Sequence, residues 1–328
     1  MHNQEGDKIE KSEGSDKNWH FHPNLPLSNS PVFHFPPRMG PVLNWFRNAW
    51  LNLSGTTILV ILAVFSASWL QPELDKISLE AVSIMTIRNF TLIFVIAGSL
   101  HLWFWKIQVQ GEKFKYDARS MATNNKRFTL ANQVYDNMFW TLVWGVPIWT
   151  FYEIVYFHAF AIGMTPVLTF REHPFLFIAM FWVILLWKGL HFYWVHRFLH
   201  HPAIYKTVHS VHHRNIITGP WSGISMHPLE LLPYFSGLLI HLVIPSHPVH
   251  FLFHAYALAL NPAFSHSGFD ALFIKNKRSL KTGEFFHQLH HRYFNCNYGT
   301  PEMPWDKWFK TYHDGIRHKG KPKKAKLN

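Results

Sequence analysis

Cysteine is almost absent from this chain, which has Cys296 as its only thiol among 328 residues. A single thiol excludes an intramolecular disulfide framework and a cysteine-rich zinc or iron–sulfur site. It also leaves little support for a thiolate-bound haem. Any bound metal is therefore expected on side chains other than cysteine.

Signals of targeting and of nucleotide binding are missing as well. Residues 1–40 are polar, proline-rich and mixed in charge, and they contain no apolar core of a cleavable signal peptide. No glycine-rich phosphate loop or dinucleotide fingerprint occurs in the chain. We therefore expect residues 1–50 to form a polar, largely flexible cytosolic segment, and we expect no resident nicotinamide or flavin.

Acidic residues are scarce, since 19 Asp and Glu face 31 Lys and Arg, which gives a net charge of +12. Such a charge fits either nucleic acid or an anionic membrane surface. The basic residues flank long apolar stretches, as membrane topology requires, so a nucleic-acid partner is not expected. The basic tail at 313–328 is expected to attract anionic lipid headgroups.

Apolar residues are abundant, at 48% of the chain, and aromatic residues make up 17%. Stretches 53–70, 89–105, 138–162 and 174–195 have the roughly 17–25 residues that a bilayer-spanning helix needs. A further apolar region, 231–262, is interrupted by the PSHP sequence at 245–248, which predicts a helical hairpin that enters the membrane and returns. The predicted fold is an all-α integral membrane protein with about four transmembrane helices, a re-entrant hairpin and a cytosolic helical cap.

The distribution of lysine and arginine predicts the orientation. The N-terminal segment and residues 106–137 are rich in both, whereas 71–88 and 163–173 carry only Lys76, Arg88 and Arg171. The positive-inside rule then places the N-terminus, residues 106–137 and everything after 195 on the cytosolic side. The expected location is the endoplasmic reticulum in a eukaryote or the inner membrane in a bacterium.

Histidines form three clusters with metal-ligand spacing. They are H-x-x-x-H at His196 and His200, H-x-x-H-H at His209, His212 and His213, and a second H-x-x-H-H at His287, His290 and His291. On a helix, positions i, i+3 and i+4 lie within about 100° of arc, so each cluster is expected to aim its imidazoles in one direction. Eight imidazoles exceed the needs of one metal and predict a pair of metal ions with about four nitrogens each.

The imidazole ligands do not identify the metal, because imidazole binds iron, zinc, copper and nickel. Oxidation of an unactivated C–H bond in a bilayer lipid needs a strong oxidant made from O₂, which an iron pair supplies. The alternative is a membrane metal-binding or transport protein that holds zinc without redox catalysis. Transporters place their ligands near the bilayer midplane, whereas these histidines lie at and beyond the predicted helix ends.

These motifs, with the lead-in FYWVHRFLHH and the sequences SMHPLE and SHSGFD, resemble the fatty acid hydroxylase and sterol desaturase superfamily of integral-membrane di-iron enzymes over roughly residues 180–312. The resemblance implies that the eight clustered histidines bind two iron ions and carry the catalysis, with zinc able to replace iron in purified protein. It also implies that His266 joins them. It implies a lipid substrate, fatty acyl or sterol-like, and an external electron donor of cytochrome b5 or ferredoxin type.

Several further residues are candidates for the site. His227 is equally well a ligand or a packing residue, while Glu230 and Asp270 are candidates for orienting ligand imidazoles. Asp270 follows His266 by four residues, which would place both on one face of a helix. Another set of histidines in or near the hairpin is expected to line a loop or substrate channel, with metal binding as the alternative: His241, His247, His250 and His254.

The predicted domains are the cytosolic segment 1–50, a transmembrane region 51–173, a catalytic domain 174–312 and the basic tail 313–328. Two positions depart from the superfamily pattern. Many relatives carry an acidic residue shortly before the first motif, where this chain has Lys188 and Gly189, and often a glycine where it has Lys310. Because of the first departure, the sequence does not show which residue orients His196. Lys188 is expected to extend to the membrane interface.

Overall fold

A computed structural model of the chain describes residues 19–28, 30–51 and 54–316. These residues are mostly helical, as predicted. The helices are α1 (Met39–Phe46), α2 (Gly55–Trp69), α3 (Leu79–Lys106), α4 (Gln133–Ala161), α5 (Pro174–Leu199), α6 (a broken helix of Pro202–Ile204, Tyr205–His209 and Ser210–His213), α7 (Pro228–Phe235), α8 (Pro248–Ala259), α9 (Asn261–Ser265), α10 (Phe285–Tyr293) and α11 (Trp305–Trp308). Short 3₁₀ helices cover Pro31–Phe33, Pro220–Ser222 and Ser236–Leu242.

Three helices in the described part of the chain are long and apolar enough to cross a membrane, namely α3, α4 and α5. A fourth span exists if the pair Met39–Trp50 and Gly55–Trp69, bent by 44°, is counted as one. About four spans were predicted, and the described residues contain three or four candidates. The chain is a membrane protein on these grounds and on its apolar composition.

The spans α3 and α4 begin earlier than hydropathy predicts, and in α3 the polar residues near this start are capped or paired. Ser78 caps α3, since its Oγ accepts a hydrogen bond from the backbone N–H of Ala81 at 3.1 Å. Arg88, which lies just before the predicted stretch 89–105, is buried in an ion pair with Glu153 of α4. Asn89 donates to the same carboxylate at 2.7 Å. A charge inside a span is tolerated when it faces a partner within the bundle.

Helix α8 forms the centre of the bundle. Every residue from Val249 to Ala259 is buried, and the helix packs against α2 and α5. Helix α7 and the 3₁₀ helix Ser236–Leu242 come before the interruption at 245–248 and α8 follows it, so helical segments lie on both sides. Because α8 is enclosed by protein on all sides, the second half of the hairpin is not a lipid-facing element.

An antiparallel hairpin departs from the all-α prediction. Strand β1 (Ala271–Ile274) pairs with β2 (Lys277–Lys281). The turn residues Lys275 and Asn276 both have positive φ, 48° and 59°. A two-residue turn with positive φ at both positions matches the twist of paired strands. The turn therefore favours a β-hairpin over a helix in this segment.

Part of the segment predicted to be flexible makes specific contacts. The Trp19 ring packs edge-on against Phe285 of α10, with centroids 4.9 Å apart, and the Arg292 guanidinium lies 4.0 Å from the Trp19 centroid. The backbone N–H of Leu27 donates to the carbonyl of Asp314 at 2.8 Å. Residues 19–28 thus contact α10, which carries one of the histidine motifs, and the segment at Asp314. Residues 1–18 and, in the predicted basic tail, 317–328 lie outside the described residues.

Candidate metal centre

Nine buried or half-buried histidines converge where α5, α6, α9 and α10 meet. They form a group of five, His196, His200, His209, His213 and His290, and a group of four, His212, His266, His287 and His291. Within each group the candidate ligand atoms all lie within 4.8 Å of one another. The structure therefore gathers the eight motif histidines and His266 into two sets.

Each H-x-x-H-H motif divides between the two groups, in contrast to the prediction that it points in one direction. His209 and His213 belong to the group of five, whereas His212 belongs to the group of four. The second motif does the reverse, with His290 in the group of five and His287 and His291 in the group of four. At about 100° per residue, position i+4 lies on one side of position i and i+3 on the other. The two adjacent sites therefore share both motifs.

Local breaks in the chain bring the three motifs together. Helix α5 ends at Leu199, and Pro202 starts α6, so the chain reverses between His200 and His209. Tyr205–His209 is a π-helical turn, a form that is common at functional sites. His266 follows the end of α9, where Gly268 has a φ of +80° and a Cβ would lie 2.7 Å from Trp105. Glycine is required there for the chain to pass.

The outer ring nitrogens of four histidines have hydrogen-bond acceptors. Nδ1 of His196 donates to the carbonyl of Tyr298 at 2.7 Å, and Nδ1 of His290 to the carbonyl of Cys296 at 2.6 Å. Nδ1 of His266 lies 2.9 Å from the carbonyl of Pro262. Nδ1 of His209 lies 2.7 Å from the Glu230 carboxylate. Such partners orient a ligand ring and leave its Nε2 lone pair for a metal.

The inner Nε2 atoms are too close together to be satisfied by one another. In the group of four, His266, His287 and His291 have pairwise Nε2 separations of 3.0–3.2 Å. A neutral imidazole carries one N–H, and where Nδ1 holds it the Nε2 offers only a lone pair. Ligands at right angles around a metal at about 2.1 Å would lie about 3 Å apart. Both the chemistry and the spacing of these nitrogens fit a cation.

Burial keeps the imidazoles in the form that binds metal. It lowers the pKa of His266 to about 4. Burial, with repulsion from neighbouring imidazoles, also lowers the pKa of other members of the groups well below the ordinary value: His212, His213, His287, His290 and His291. These rings are neutral near pH 7, so no proton has to be displaced before a cation binds.

Glu230 lies where it was predicted to orient a ligand. It is buried in α7 beside His209 of α6, and burial raises the pKa of its carboxyl group well above the ordinary value. A cation bound at Nε2 of His209 would favour the ionised carboxylate at Nδ1. The pair links the first half of the hairpin to the group of five.

Two other predicted residues are engaged elsewhere. His227 caps α7, since its Nδ1 accepts from the backbone N–H of Leu229 at 3.2 Å, and it belongs to neither group. Asp270 accepts from the Tyr116 hydroxyl at 3.1 Å and pairs with Arg278. Because α9 ends at Ser265, the predicted helical face shared by His266 and Asp270 does not form.

The hairpin histidines make structural hydrogen bonds. His241 Nε2 lies 3.2 Å from His254 Nδ1, and His250 Nε2 donates to the carbonyl of Phe177 at 2.9 Å. His247 caps α8 through the backbone N–H of Val249 at 3.2 Å. These contacts connect α8 to its neighbours, and the residues lie outside both histidine groups.

Polar residues that sequence reasoning did not identify hold the motifs in place. Asn215 Oδ1 accepts from Gln133 at 3.1 Å and from Asn137 at 2.9 Å, while its Nδ2 donates to the carbonyl of His212 at 3.0 Å. Asp306 accepts from the backbone N–H of Tyr298 at 2.8 Å, next to the carbonyl that binds His196. These contacts join segments that are distant in the sequence, so no local pattern identifies them.

A cavity of about 520 Å³ reaches both groups. It contacts His196 and His209 of the group of five and His212, His266 and His287 of the group of four. Its walls also include apolar side chains from α5, α7, α8 and α9: Phe192, Val195, Leu199, Tyr234, Leu258 and Phe264. The size lies within the roughly 300–1,000 Å³ typical of small-molecule sites. An apolar ligand in this cavity would lie against the metal-binding nitrogens.

The departures from the superfamily pattern have structural counterparts. Lys188 lies within α5, with 11 residues of helix after it, and lines the cavity rather than extending only to the membrane interface. The partner of His196, left open by the sequence, is the Tyr298 carbonyl. Lys310 adopts a φ of +59°, a conformation that glycine adopts without strain.

Comparison with known proteins confirms the resemblance. The family model for fatty acid hydroxylase matches residues 180–311. A Delta(7)-sterol 5(6)-desaturase of Gibberella zeae is 27% identical over 69% of this chain and 67% of its own length. One from Aspergillus fumigatus is 34% identical over 43% of this chain and 39% of its own. Methylsterol monooxygenase 1 of Gallus gallus is 34% identical over 41% and 46%.

The alignment thus spans two thirds of the first of these relatives and less than half of the other two. All three relatives are oxidoreductases by their names, and two of those names state a sterol substrate with its double-bond positions. No solved structure matches the chain.

Proposed function

The chain belongs, through residues 180–311, to the fatty acid hydroxylase and sterol desaturase superfamily, and on that premise we propose that it is a membrane-bound non-haem di-iron oxygenase. Its substrate is a lipid, fatty acyl or sterol-like, that is hydroxylated or desaturated with O₂ and external electrons. The active site faces the cytosol.

The adjoining groups of five and four histidines carry this proposal. The histidines of both H-x-x-H-H motifs would hold two neighbouring cations, which suits chemistry that needs a pair of metal ions. Bound iron would supply the oxidising power needed for an unactivated C–H bond. Nine nitrogens over two ions also leave coordination positions open, whereas structural zinc sites are closed and four-coordinate.

The protein's own residues have three tasks in the reaction. The carbonyls of Tyr298, Cys296 and Pro262 hold imidazole rings in one orientation. Glu230 holds His209 and balances cationic charge beside it. The apolar wall at Phe192 and Tyr234 binds the lipid and excludes water from the reacting carbon. Electrons come from a partner, for which an acidic cytochrome b5 or ferredoxin suits the basic surface of this chain.

The test is oxidation of a lipid by iron-loaded protein with a reducing system under ¹⁸O₂. We expect either a hydroxyl group that carries the labelled oxygen or a new double bond, detected by mass spectrometry of extracted lipids. His290→Ala removes a member of the group of five and should abolish the product. His227→Ala, which changes a histidine outside both groups, should keep it.

Absence of any oxidised lipid across fatty acyl and sterol substrates, in protein that holds tightly bound zinc and takes up no iron, would contradict the proposal. It would favour the alternative of a membrane protein that binds or transports zinc.

A further inference from the structure

A cation lines the cavity at a distance from the histidines. Lys188 lies on the same face of α5 as Phe192, Val195 and His196, and all four contact the cavity. Eight residues separate Lys188 from His196, which corresponds to about 12 Å along a helix. The cavity therefore has a basic group on one wall and metal-binding nitrogens roughly two helical turns away.

Lys188 has no carboxylate within ion-pair distance among the described residues. The other lysine of the cavity, Lys281, lies 3.6 Å from Glu284 and is paired. Glu302 also lines the cavity, and its charge acts on Lys188. However, Glu302 is solvent-exposed, and solvent weakens such an interaction. The ammonium group of Lys188 is thus available to a ligand.

The wall beside Lys188 is closed by a close approach of the chain. A Cβ at Gly189 would lie 2.9 Å from Cγ of Met303, so the bare backbone at 189 lets the loop at 299–303 lie against α5. Thr300 and Glu302 of this loop contact the cavity. Lys188 therefore lies beside the polar residues of this loop, while Phe192, Val195 and Leu199 form an apolar path to the histidines.

We propose that Lys188 binds the carboxylate of an acidic lipid whose apolar chain runs past Phe192 and Val195 to the two histidine groups. A cation at one end and an apolar path beyond it match an amphiphile with one anionic end. The pairing is a charge-assisted hydrogen bond in a partly desolvated site, where it is strongest. The assignment of a reaction to this lipid rests on the proposed function, whereas its binding does not.

The distance between Lys188 and His196 predicts which part of the lipid is oxidised. With the carboxylate held at Lys188, about 12 Å of helix separates it from the level of His196. The reacting carbon then lies well along the chain and not next to the carboxylate. Lys188 acts as a positioning residue that selects the lipid and its register.

The test is equilibrium binding of radiolabelled palmitate and hexadecanol, two lipids of equal chain length that differ in charge. It uses the full-length protein in neutral detergent, at a pH where the carboxylate is ionised. We expect palmitate to bind about tenfold or more tightly than hexadecanol, as a hydrogen bond to a charged group predicts. Lys188→Gln should abolish the preference, and Lys188→Arg should retain it.

Two further variants test whether the preference depends on Lys188 itself or on charged residues in general. Lys277→Gln removes an exposed lysine on β2 that does not line the cavity, and it should leave both affinities unchanged. Glu302→Gln removes an exposed carboxylate whose interaction with Lys188 is weakened by solvent, and it should leave the preference for palmitate in place.

Equal binding of the two lipids to the unmodified protein, or a preference for palmitate that survives in Lys188→Gln, would overturn the inference. Neither result depends on iron or on turnover. If the carboxylate preference holds while no oxidised lipid forms, the proposed function fails and the assignment of Lys188 stands.

Discussion

The two ring nitrogens of a histidine in these groups have different surroundings. Nε2 faces other nitrogens at about 3 Å, as between His290 and His213 at 3.0 Å, while Nδ1 of His290 donates to a carbonyl. Without a cation the inner lone pairs repel one another, and burial denies them water. At His196, His209, His266 and His290 an outer acceptor fixes the tautomer, so the orientation of these four rings is set before metal binds.

His212→Ala should reduce bound metal by about half, because it removes one ligand from the group of four and leaves the group of five complete. His227→Ala is the matched control and should bind as much metal as the unmodified protein, since His227 belongs to neither histidine group. The measurement is metal per chain by mass spectrometry after iron-supplemented expression. Full metal content in His212→Ala would show that the group of four is not a metal site.

Glu230→Gln should weaken metal binding by about 10- to 100-fold, as is common when the outer partner of a ligand histidine is changed. The amide still accepts a hydrogen bond from His209 but carries no negative charge. Competition with a chelator measures the affinity, and circular dichroism shows whether the helices persist. Unchanged affinity in a folded variant would mean that Glu230 contributes packing alone.

At the scale of an element, spacing in the sequence identified the histidines that the structure gathers, because each motif lies on one short segment. It did not show that each motif divides between two groups, since that depends on which neighbouring motif approaches each side. The start of α3 was also missed, because Arg88 appears unfavourable in a span until Glu153 of α4 is present. The contacts of Asn215 with Gln133 and Asn137 join distant segments and leave no local pattern.

Lys310→Gly should stabilise the protein, by up to about 1 kcal/mol, because a left-handed conformation costs a side-chain-bearing residue about 1–2 kcal/mol while glycine loses more entropy on folding. Lys310 has a φ of +59°. Lys307→Gly is the control within α11 and should not stabilise, since glycine is unfavourable in a helix.

Thermal unfolding in detergent distinguishes these outcomes. A lower midpoint for Lys310→Gly than for the unmodified protein would contradict the role assigned to its backbone conformation.

At the scale of the whole molecule, the apolar helices, the histidine groups and the cavity form one arrangement. Hydropathy predicted about four spans, where the described residues show three or four, and motif spacing predicted that the metal ligands follow them. The cavity was not predictable, because its walls come from segments between Trp45 and Glu302 that meet only in the folded chain. Its apolar path is what connects a membrane-dissolved lipid to the histidine nitrogens.

The central claim is that the two groups hold a pair of iron ions, and Mössbauer spectroscopy of protein loaded with iron-57 tests it most directly. The account predicts about two irons per chain, in line with its two histidine groups, with a spectrum in which the ions are magnetically coupled. His290→Ala should remove the coupling. A spectrum of isolated iron ions, or protein that binds only zinc after reconstitution with iron, would contradict the account.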